Sequence, residues 1–281
     1  MKYLIVNADD YGLDENINRA VIMGYSRGIV RSTTILANGE AFLSGIHALK
    51  ENPGLGVGVH LTLVNGYPLS PPNEIPSLLD ANGKFFRSYQ EFFPRFLAGK
   101  IKLREIRDEW GKQISRVENH GIVVTHLDSH QHLHVLPGIH KIVSELALDF
   151  HIQKIRLPQE KMMFLGGSVP SLSRFLARDI LSGVSALSKF YFSKQNLKSP
   201  QQFYGMLWGG HLSENRLITI LQRLPVGISE IMTHPGLSSQ ALEQKFLWGY
   251  NWEEELVALT SLKVKTIVEQ QGIQLVNYRS L

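Results

Sequence analysis

The sequence contains no cysteine. Disulfides and thiolate chemistry are therefore excluded, and a metal ion would have to be bound through nitrogen and oxygen ligands. No apolar run approaches the roughly 18 residues that a membrane-spanning helix requires. The apolar stretch at the start of the chain is also too short for a signal peptide, and no small-residue cleavage site follows it. We therefore expect a cytoplasmic protein.

The chain also has little net charge. Charged residues make up 19% of the 281 residues, the formal net charge is +4, and 43% of the residues are hydrophobic. This composition is typical of a globular protein with a core and excludes a disordered or collagen-like chain. Basic residues are not spread among aromatic residues as in a nucleic-acid-binding surface, so no nucleic-acid partner is expected. They concentrate in residues 161–200, where six basic residues and one acidic residue give +5.

Short apolar runs alternate with stretches of helical periodicity along the whole chain. This alternation predicts a parallel sheet, and about eight strands favour an α/β fold of the (β/α) barrel type, with an open doubly wound sheet as the alternative. Neither an internal repeat nor a Gly/Ser linker is present, so residues 1–281 are predicted to form a single domain. The predicted strands are 3–8, 30–37, 56–63, 123–129, 154–157, 204–208, 228–233 and 274–278.

Two segments interrupt the alternation. Residues 65–100, after the third strand, are rich in proline and aromatic residues, and so long an insertion usually forms a lid or binds substrate. Residues 161–200 carry apolar side chains at helical spacing with basic residues between them. The latter segment predicts either an outer helix of the barrel or an element that contacts an anionic membrane surface.

Five of the eleven histidines lie between positions 126 and 140. If the fourth strand continues far enough, His126, Asp128, His130, His132 and His134 share one face, because side chains alternate along a strand. Such a face would be costly in a dry core unless it coordinated a ligand. The alternative is a set of solvated loop histidines beyond the end of the strand.

Polar residues also end the first and third strands. Asp9 and Asp10 follow the first strand, where they form either a turn or a site with two carboxylates pointing in opposite directions. His60 lies among aliphatic residues in the third strand, where a lone histidine is usually a core residue. Asp10, His60 and His130 nevertheless come from the carboxyl ends of three predicted strands, which is where barrel active sites assemble. One carboxylate and two imidazoles would bind one divalent metal ion with positions left open for water and substrate.

Three segments together resemble the signatures of the YdjC-like carbohydrate deacetylases. They are Asn-Ala-Asp-Asp-Tyr-Gly at 7–12, Gly-Val-His-Leu at 58–61 and Thr-His-Leu-Asp-Ser-His-Gln-His at 125–132. Four further segments are more similar to the hopanoid-biosynthesis-associated (HpnK-like) branch of that family: 61–64, 130–134, 203–208 and 229–236. The resemblance covers nearly the whole chain and implies a distorted (β/α) barrel.

The resemblance also implies a role for each site residue. Asp10, His60 and His130 become the metal ligands, Asp9 the general base and His234 the general acid. Arg156 would hold Asp9 in its ionised form. Asp128, His132 and Trp208 are predicted to contact substrate.

The implied reaction is the hydrolysis of an N-acetylated amino sugar to acetate and a free amine. The bound metal would lower the pKa of its water and polarise the acetamide carbonyl. Magnesium is implied by the resemblance, whereas the mixed nitrogen and oxygen ligands also suit zinc, manganese or cobalt.

Two other functions remain open from the sequence. A metal-dependent phosphoesterase would need a second metal ion, for which the histidine-rich segment offers spare ligands. A catalytically inactive sugar-binding protein is the third hypothesis, although the presence of Asp9 argues against it. The predicted substrate is a lipid-linked (hopanoid) N-acetylglucosamine, with a soluble chitooligosaccharide as the alternative, and the lipid-linked substrate would suit a peripheral location at the inner membrane face.

Overall fold

The computed structural model describes residues 1–161 and 171–281, and its described strands are all parallel. The order across the sheet is β4-β3-β2-β1-β6-β5, and β7 pairs with the beginning of β1. The sequence prediction of an α/β fold with a parallel sheet is confirmed. The strands are β1 (Lys2–Tyr11), β2 (Ser32–Ile35), β3 (Gly56–Leu61), β4 (Val124–Ser129), β5 (Gln202–Tyr204), β6 (Gly227–Thr233) and β7 (Ile273–Val276).

The strands form a half-barrel, and helices surround it. They are α1 (Glu15–Arg27), α2 (Phe42–Glu51), α3 (Tyr89–Leu97), α4 (Leu103–Asn119), α5 (Ile139–Asp149), α6 (Leu172–Lys194), α7 (Glu214–Gln222), α8 (Ser239–Phe246), α9 (Trp252–Thr260) and α10 (Leu262–Gln270). Short 3₁₀ helices cover Pro76–Leu78, His130–Val135 and Tyr278–Ser280. No helix in the described ranges is both long and apolar enough to span a membrane.

The sheet is distorted where a regular barrel would close. The predicted strand at 154–157 makes only isolated bridges, from Ile155 to Leu127 of β4 and from Lys154 to Lys198. The predicted strand at 204–208 was placed too late in the chain: β5 ends at Tyr204, because Gly205 adopts a φ of 106° that leaves the extended conformation. The barrel prediction is thus confirmed in a distorted form, in which isolated bridges rather than strands join β4 to β5.

The insertion after β3 packs against α4. Two buried glutamates of that helix accept backbone hydrogen bonds from the insertion: Glu109 from Leu69 and Ser70, and Glu105 from Ser77. A loop without regular structure lacks the backbone hydrogen bonds of a helix or sheet. Carboxylates that accept hydrogen bonds from its backbone N–H groups replace them. The segment is therefore a fixed part of the domain.

Helix α6 packs against the rest of the molecule through a polar face. Ser188 donates to the Val135 carbonyl at 2.6 Å and Ser185 to the Pro158 carbonyl at 3.0 Å. The opposite face carries five large exposed apolar side chains three, four or seven residues apart, which places them in one stripe. Their exposed fractions are 74% for Leu172, 50% for Leu176, 69% for Ile180, 67% for Leu187 and 66% for Phe190.

Candidate active site

Three strand ends bring a carboxylate and two imidazoles together. Asp10 lies near the end of β1, His60 in β3 and His130 directly after β4. His130 Nδ1 lies 3.0 Å from Asp10 Oδ1, and His60 Nε2 lies 3.4 Å from the same oxygen. All three residues are buried, and one ligand atom of each lies within 4.8 Å of the others. This group of side chains could hold a metal ion.

The backbone at Asp10 explains how two neighbouring carboxylates can serve different partners. Asp10 has a φ of 65°, and the register between β1 and β2 shifts between Ala8 and Tyr11. A positive φ is unfavourable for a residue other than glycine and typically occurs at functional sites and bulges. The Asp10 carboxylate faces the two histidines, whereas the Asp9 carboxylate faces Arg156.

Asp128 orients His60 from behind. The Nδ1 of His60 donates to Asp128 Oδ1 at 2.8 Å, which leaves Nε2 directed at Asp10. A carboxylate on the far ring nitrogen of a histidine is the usual support of a metal ligand. Burial lowers the pKa of His60, but Asp128 and Asp10 outweigh that effect and raise it to about 10. Burial likewise would raise the pKa of Asp10, yet His130 and His60 hold it well below its usual value.

Arg156 connects three carboxylates at the centre of the barrel. Its Nη1 and Nη2 donate to the two oxygens of Asp9 at 2.6 and 2.7 Å, its Nη1 lies 2.6 Å from Asp128 Oδ2, and its Nε donates to Glu230 at 2.9 Å. The guanidinium is fully buried, so the planar fork is satisfied by charge-assisted bonds. Burial raises the pKa of Glu230 to about 7 against the opposing effect of Arg156, and Tyr278 donates to the same carboxylate at 2.6 Å.

Asp9 is thereby fixed beside the candidate metal ligands. Its Oδ1 also accepts from Asn7 Nδ2 at 2.8 Å. One of its oxygens lies within 4.8 Å of ligand atoms of His60 and Asp128. The sequence-predicted pairing of Asp9 with Arg156 is thus present in the structure.

The histidine-rich segment does not form one face, contrary to the sequence prediction. Strand β4 ends at Ser129, and residues 130–135 form 3₁₀ turns in which Gln131 and His132 have left-handed φ values of 55° and 58°. The alternation of a strand is lost there. Only His130 of the segment therefore joins the candidate metal group with Asp10 and His60.

The other three histidines of the segment have separate surroundings. His126 stacks on Tyr278 at 3.6 Å, and burial lowers the pKa of His126 to about 3. His134 donates from Nε2 to the Arg156 carbonyl at 3.0 Å, and burial lowers its pKa to about 4. His132 is buried, its ring centroid lies 5.9 Å from that of Phe203, and its Nδ1 has no hydrogen-bond partner. Burial lowers the pKa of His132 well below its usual value, so its imidazole is neutral.

Two further predicted site residues come from the β5–β6 side. Ala8 of β1 pairs with Thr233 of β6, so Asp9 and His234 follow at adjacent strand ends. The backbone of His234 donates to buried Glu255 at 2.5 Å, and its Nδ1 has no partner. Trp208 is buried and lies under the guanidinium of Arg216, whose Cζ is 3.7 Å from the ring centroid. Among the contacts of the described residues, none joins Trp208 directly to the group of Asp10, His60 and His130.

A cleft of about 450 Å³ opens beside the metal group, with His130 in its wall. The insertion after β3 supplies much of the remaining lining. The cleft is thus a concave, mixed polar and apolar surface next to titratable groups, which is the usual setting of a substrate site. Its lining includes Asn65, Tyr67, Asp80, Lys84, Phe85, Arg87 and Phe246.

Several residues that lie at the site were not predicted from the sequence. Glu230 lies in the middle of the apolar run 228–233, and a carboxylate in a buried strand could have indicated a partner such as Arg156. Aromatic residues also alternate in Phe-Leu-Trp-Gly-Tyr-Asn-Trp at 246–252. The ring centroid of Trp248 lies 5.3 Å from that of His130, and that of Tyr250 lies 5.1 Å from that of His234. This regular spacing was the available signal of a shared aromatic side, although the segment is not extended: Leu247 and Gly249 have φ values of 55° and 67°.

Comparison with known families gives a consistent result. The sequence profile described as "YdjC-like protein" matches residues 3–270. The chain belongs to this family. Carbohydrate deacetylases of Brevibacillus brevis and Thermoanaerobacter pseudethanolicus are 31% and 30% identical to it, over 99% of both chains in the first case and 100% in the second. The mouse carbohydrate deacetylase is 29% identical over 97% of this chain and 92% of its own length.

A solved structure shares the fold of this YdjC-like protein. The crystal structure of a protein from Enterococcus faecalis V583, provisionally described as a cellobiose-phosphate cleavage protein, superposes with a TM-score of 0.80. It is 27% identical and covers 99% of this chain and 98% of its own. The match over residues 3–270 confirms the family predicted from the three sequence signatures.

Proposed function

We propose that this protein hydrolyses the acetamide of an N-acetylated amino sugar in a metal-dependent reaction. The observation that carries the proposal is the buried Asp10, His60 and His130 group placed directly beside the Asp9–Arg156 ion pair. The names of the relatives support the substrate class, since those proteins are carbohydrate deacetylases.

The donor set fits one divalent metal ion. One carboxylate oxygen and two imidazole nitrogens converge within 4.8 Å, and Asp128 holds one of the imidazoles in place. Three protein ligands leave coordination positions for water and substrate, as in other hydrolytic metal sites. A bound ion supplies Lewis-acid stabilisation of developing charge and a water of lowered pKa. Magnesium is proposed from the family resemblance, with zinc, manganese and cobalt as the alternatives that this donor set also suits.

Asp9 is the proposed general base. Its carboxylate accepts hydrogen bonds only from Arg156, Asn7 and Thr34 among the bonds that the structure describes, so its charge is fixed in position beside the ligands. A positioned carboxylate removes a proton from the attacking water as the new C–O bond forms. Arg156 acts as a positioning residue, because its bidentate contact sets the orientation of the Asp9 carboxylate.

His234 is the proposed general acid. It follows β6 at the strand end next to Asp9, and its Nδ1 has no hydrogen-bond partner. Breaking the C–N bond of the tetrahedral intermediate requires a proton on the leaving nitrogen, since an amide anion is a poor leaving group. A protonated His234 supplies that proton, and acetate and the free amine are the products.

Two measurements on one sample test the proposal. Purified protein is incubated with diacetylchitobiose, and acetate and primary amine are quantified alongside the metal content per chain. We expect equal amounts of acetate and amine and one metal ion per chain. Two ions per chain, or release of phosphate from phosphate esters without deacetylation, would favour a phosphoesterase instead. Binding of the sugar without any acetate release would indicate an inactive binding protein.

The proposed substrate is an N-acetylglucosamine linked to a hopanoid lipid. The support is the similarity of segments such as 203–208 and 229–236 to the hopanoid-associated branch, together with the exposed apolar stripe on α6. A soluble chitooligosaccharide is the alternative. Comparing kcat/KM for diacetylchitobiose and for a lipid-linked N-acetylglucosamine distinguishes the two, since the lipid-linked sugar is expected to be the better substrate.

We further propose that α6 docks on an anionic membrane surface. Of the predicted 161–200 segment, residues 162–170 lie outside the described residues, so the proposal rests on α6 itself. Its apolar stripe faces solvent, and Lys189 and Lys194 are exposed. The nearby acid Asp179 is bound by Arg178 at 2.6 Å. An anionic lipid surface complements this charge, whereas a second copy of the same stripe would bring like charges together.

The site lies close to one end of this stripe. Arg174, in the first turn of α6, contacts the carbonyls of Leu207 and Gly209 at 3.4 Å. A side chain built on Gly209 would lie 3.7 Å from His234. Docking of α6 would therefore bring a lipid-linked sugar near the strand ends that carry the proposed catalytic residues.

A test of membrane docking should change charged residues of α6 that are exposed. The guanidinium of Arg178 is fully buried, so reversing its charge would damage packing, and Lys189 and Lys194 are the suitable pair. We expect wild-type protein to sediment with phosphatidylserine-containing liposomes at low salt and less at 0.15 M, where the Debye length is about 8 Å. Lys189→Glu with Lys194→Glu should abolish sedimentation, while the exposed control pair Lys100→Glu with Arg104→Glu should not. Docking is contradicted if wild-type protein does not sediment with these liposomes or if it dimerises through α6.

A further inference from the structure

The chain from the last residue of α8 to the start of α9 carries a row of aromatic rings. The ring centroids of Phe246 and Trp248 are 5.0 Å apart, and those of Trp248 and Tyr250 are 5.5 Å apart. Leu247, between the first two rings, is 79% exposed and lies outside the row. The aromatic residues at alternate positions of this segment therefore lie on the side of the molecule that carries the candidate active site.

The row connects the cleft to both histidines of the proposed reaction. Phe246 lines the cleft, Trp248 lies 5.3 Å from His130, and Tyr250 lies 5.1 Å from His234. A molecule that lies along the row would thus extend from the cleft across the metal group towards the proposed general acid. Trp248 is only partly buried, so part of its ring surface remains accessible.

The row is held rigidly from beneath. Trp252 is fully buried, with its ring centroid 5.4 Å from that of Tyr250. The backbone N–H of Asn251 donates to the carbonyl of Gly210 at 2.7 Å. A side chain at Gly210 would lie 2.2 Å from the Tyr250 ring, so only glycine permits this close approach. Rigid aromatic surfaces bind a ligand with little loss of conformational entropy.

We propose that Trp248 and Tyr250 form a stacking platform for a pyranose ring of the substrate. A sugar ring has polar edges and a flat face of C–H groups, and aromatic rings bury such faces while the hydroxyls stay in contact with water and polar side chains. The platform would hold the ring over the segment between His130 and His234. It thereby directs the acetamide to the metal group, and this assignment rests on the proposed deacetylation.

Equilibrium binding tests the platform separately from catalysis. Diacetylchitobiose is titrated into metal-stripped protein and followed by tryptophan fluorescence and calorimetry. We expect Trp248→Ala to weaken binding about tenfold, which corresponds to 1.4 kcal/mol, and Trp248→Phe to restore most of it. Leu247→Ala is the matched control, since this neighbouring side chain faces solvent, and it should bind like wild type.

The outcomes separate the platform from the proposed reaction. If the sugar binds through Trp248 but metal-loaded wild-type protein releases no acetate, deacetylation is refuted and the platform is supported. Trp248→Ala with unchanged affinity, or a wild-type protein that does not bind diacetylchitobiose at millimolar concentration, overturns the platform. Equal weakening by Trp248→Ala and Trp248→Phe, with a lowered melting temperature in both, would assign Trp248 a structural role and overturn it as well.

Discussion

Replacing Asp128 by asparagine tests whether this residue positions a metal ligand or contacts substrate. Asp128 is fully buried, its Oδ1 lies 2.8 Å from His60 Nδ1, and its Oδ2 lies 2.6 Å from Arg156. Both oxygens are therefore engaged behind the site. Asp128→Asn keeps the size of the side chain and one carbonyl acceptor but removes the negative charge that holds the His60 ring.

The expected loss falls on metal affinity. Removing a supporting carboxylate of this kind typically costs about 10–100-fold in metal affinity, which is about 1.4–2.7 kcal/mol. The fold should survive, because Arg156 retains Asp9 at 2.6 and 2.7 Å and Glu230 at 2.9 Å. The loss in stability should thus stay below the roughly 3–5 kcal/mol that follows when a buried charge loses its partner.

Metal-binding calorimetry and steady-state kinetics on the same preparations provide the assay. We expect a weaker metal Kd and full recovery of KM for the sugar at saturating metal. Asp149→Asn is the matched control, since Asp149 also pairs with an arginine, Arg107, but does so at the surface. An unchanged metal Kd together with a raised KM would refute the reasoning, because it would show that Asp128 contacts substrate as the sequence alone predicted.

Four further changes have expected outcomes. His130→Ala should abolish metal binding measured by elemental analysis and with it activity; retained metal and activity would remove His130 from the ligand set. Asp9→Asn should keep the metal but lower kcat by roughly 10²–10⁴, and a near-normal kcat in metal-loaded protein would contradict its role as base. His234→Ala should lose much less activity on substrates with activated leaving groups than on amides, whereas equal losses would exclude it as the acid. Gly58→Ala should lower the free energy of unfolding by roughly 1–3 kcal/mol in urea denaturation, since its Cβ would lie 2.4 Å from the His126 ring; unchanged stability would contradict the tight packing there.

The sequence predicted the strand ends well where local signals were strong. Buried parallel strands are nearly continuous apolar runs, so β1, β3 and β6 were recognisable, as were the polar residues in or just after the carboxyl-terminal ends of these strands. The predicted strand at 154–157 had the same appearance. Whether such a run pairs along its length depends on its neighbours, and here the adjacent chain offers only isolated bridges.

The helix α6 illustrates the limit of periodicity. Apolar residues at helical spacing predicted an amphipathic helix, and the helix is present. Periodicity does not tell which face meets the protein. The structure shows that hydrogen-bonding serines face inward and that Leu172, Leu176 and Ile180 face solvent.

The sequence by itself determined the family, the order of the elements and the three residues at strand ends that form the candidate metal group. The family followed from the resemblance of three short segments, and the elements and their ends followed from strand periodicity and the carboxyl-end rule of parallel sheets, which act over a few residues. Only the tertiary structure decided the surroundings of the other histidines of the 126–134 segment, since the turn after Ser129 reorients the chain and removes His132 and His134 from a common face with His130. It also decided that Arg156, besides Asp9, contacts Asp128 and Glu230, because these residues are distant in sequence and meet only when the strands pack around one buried charge.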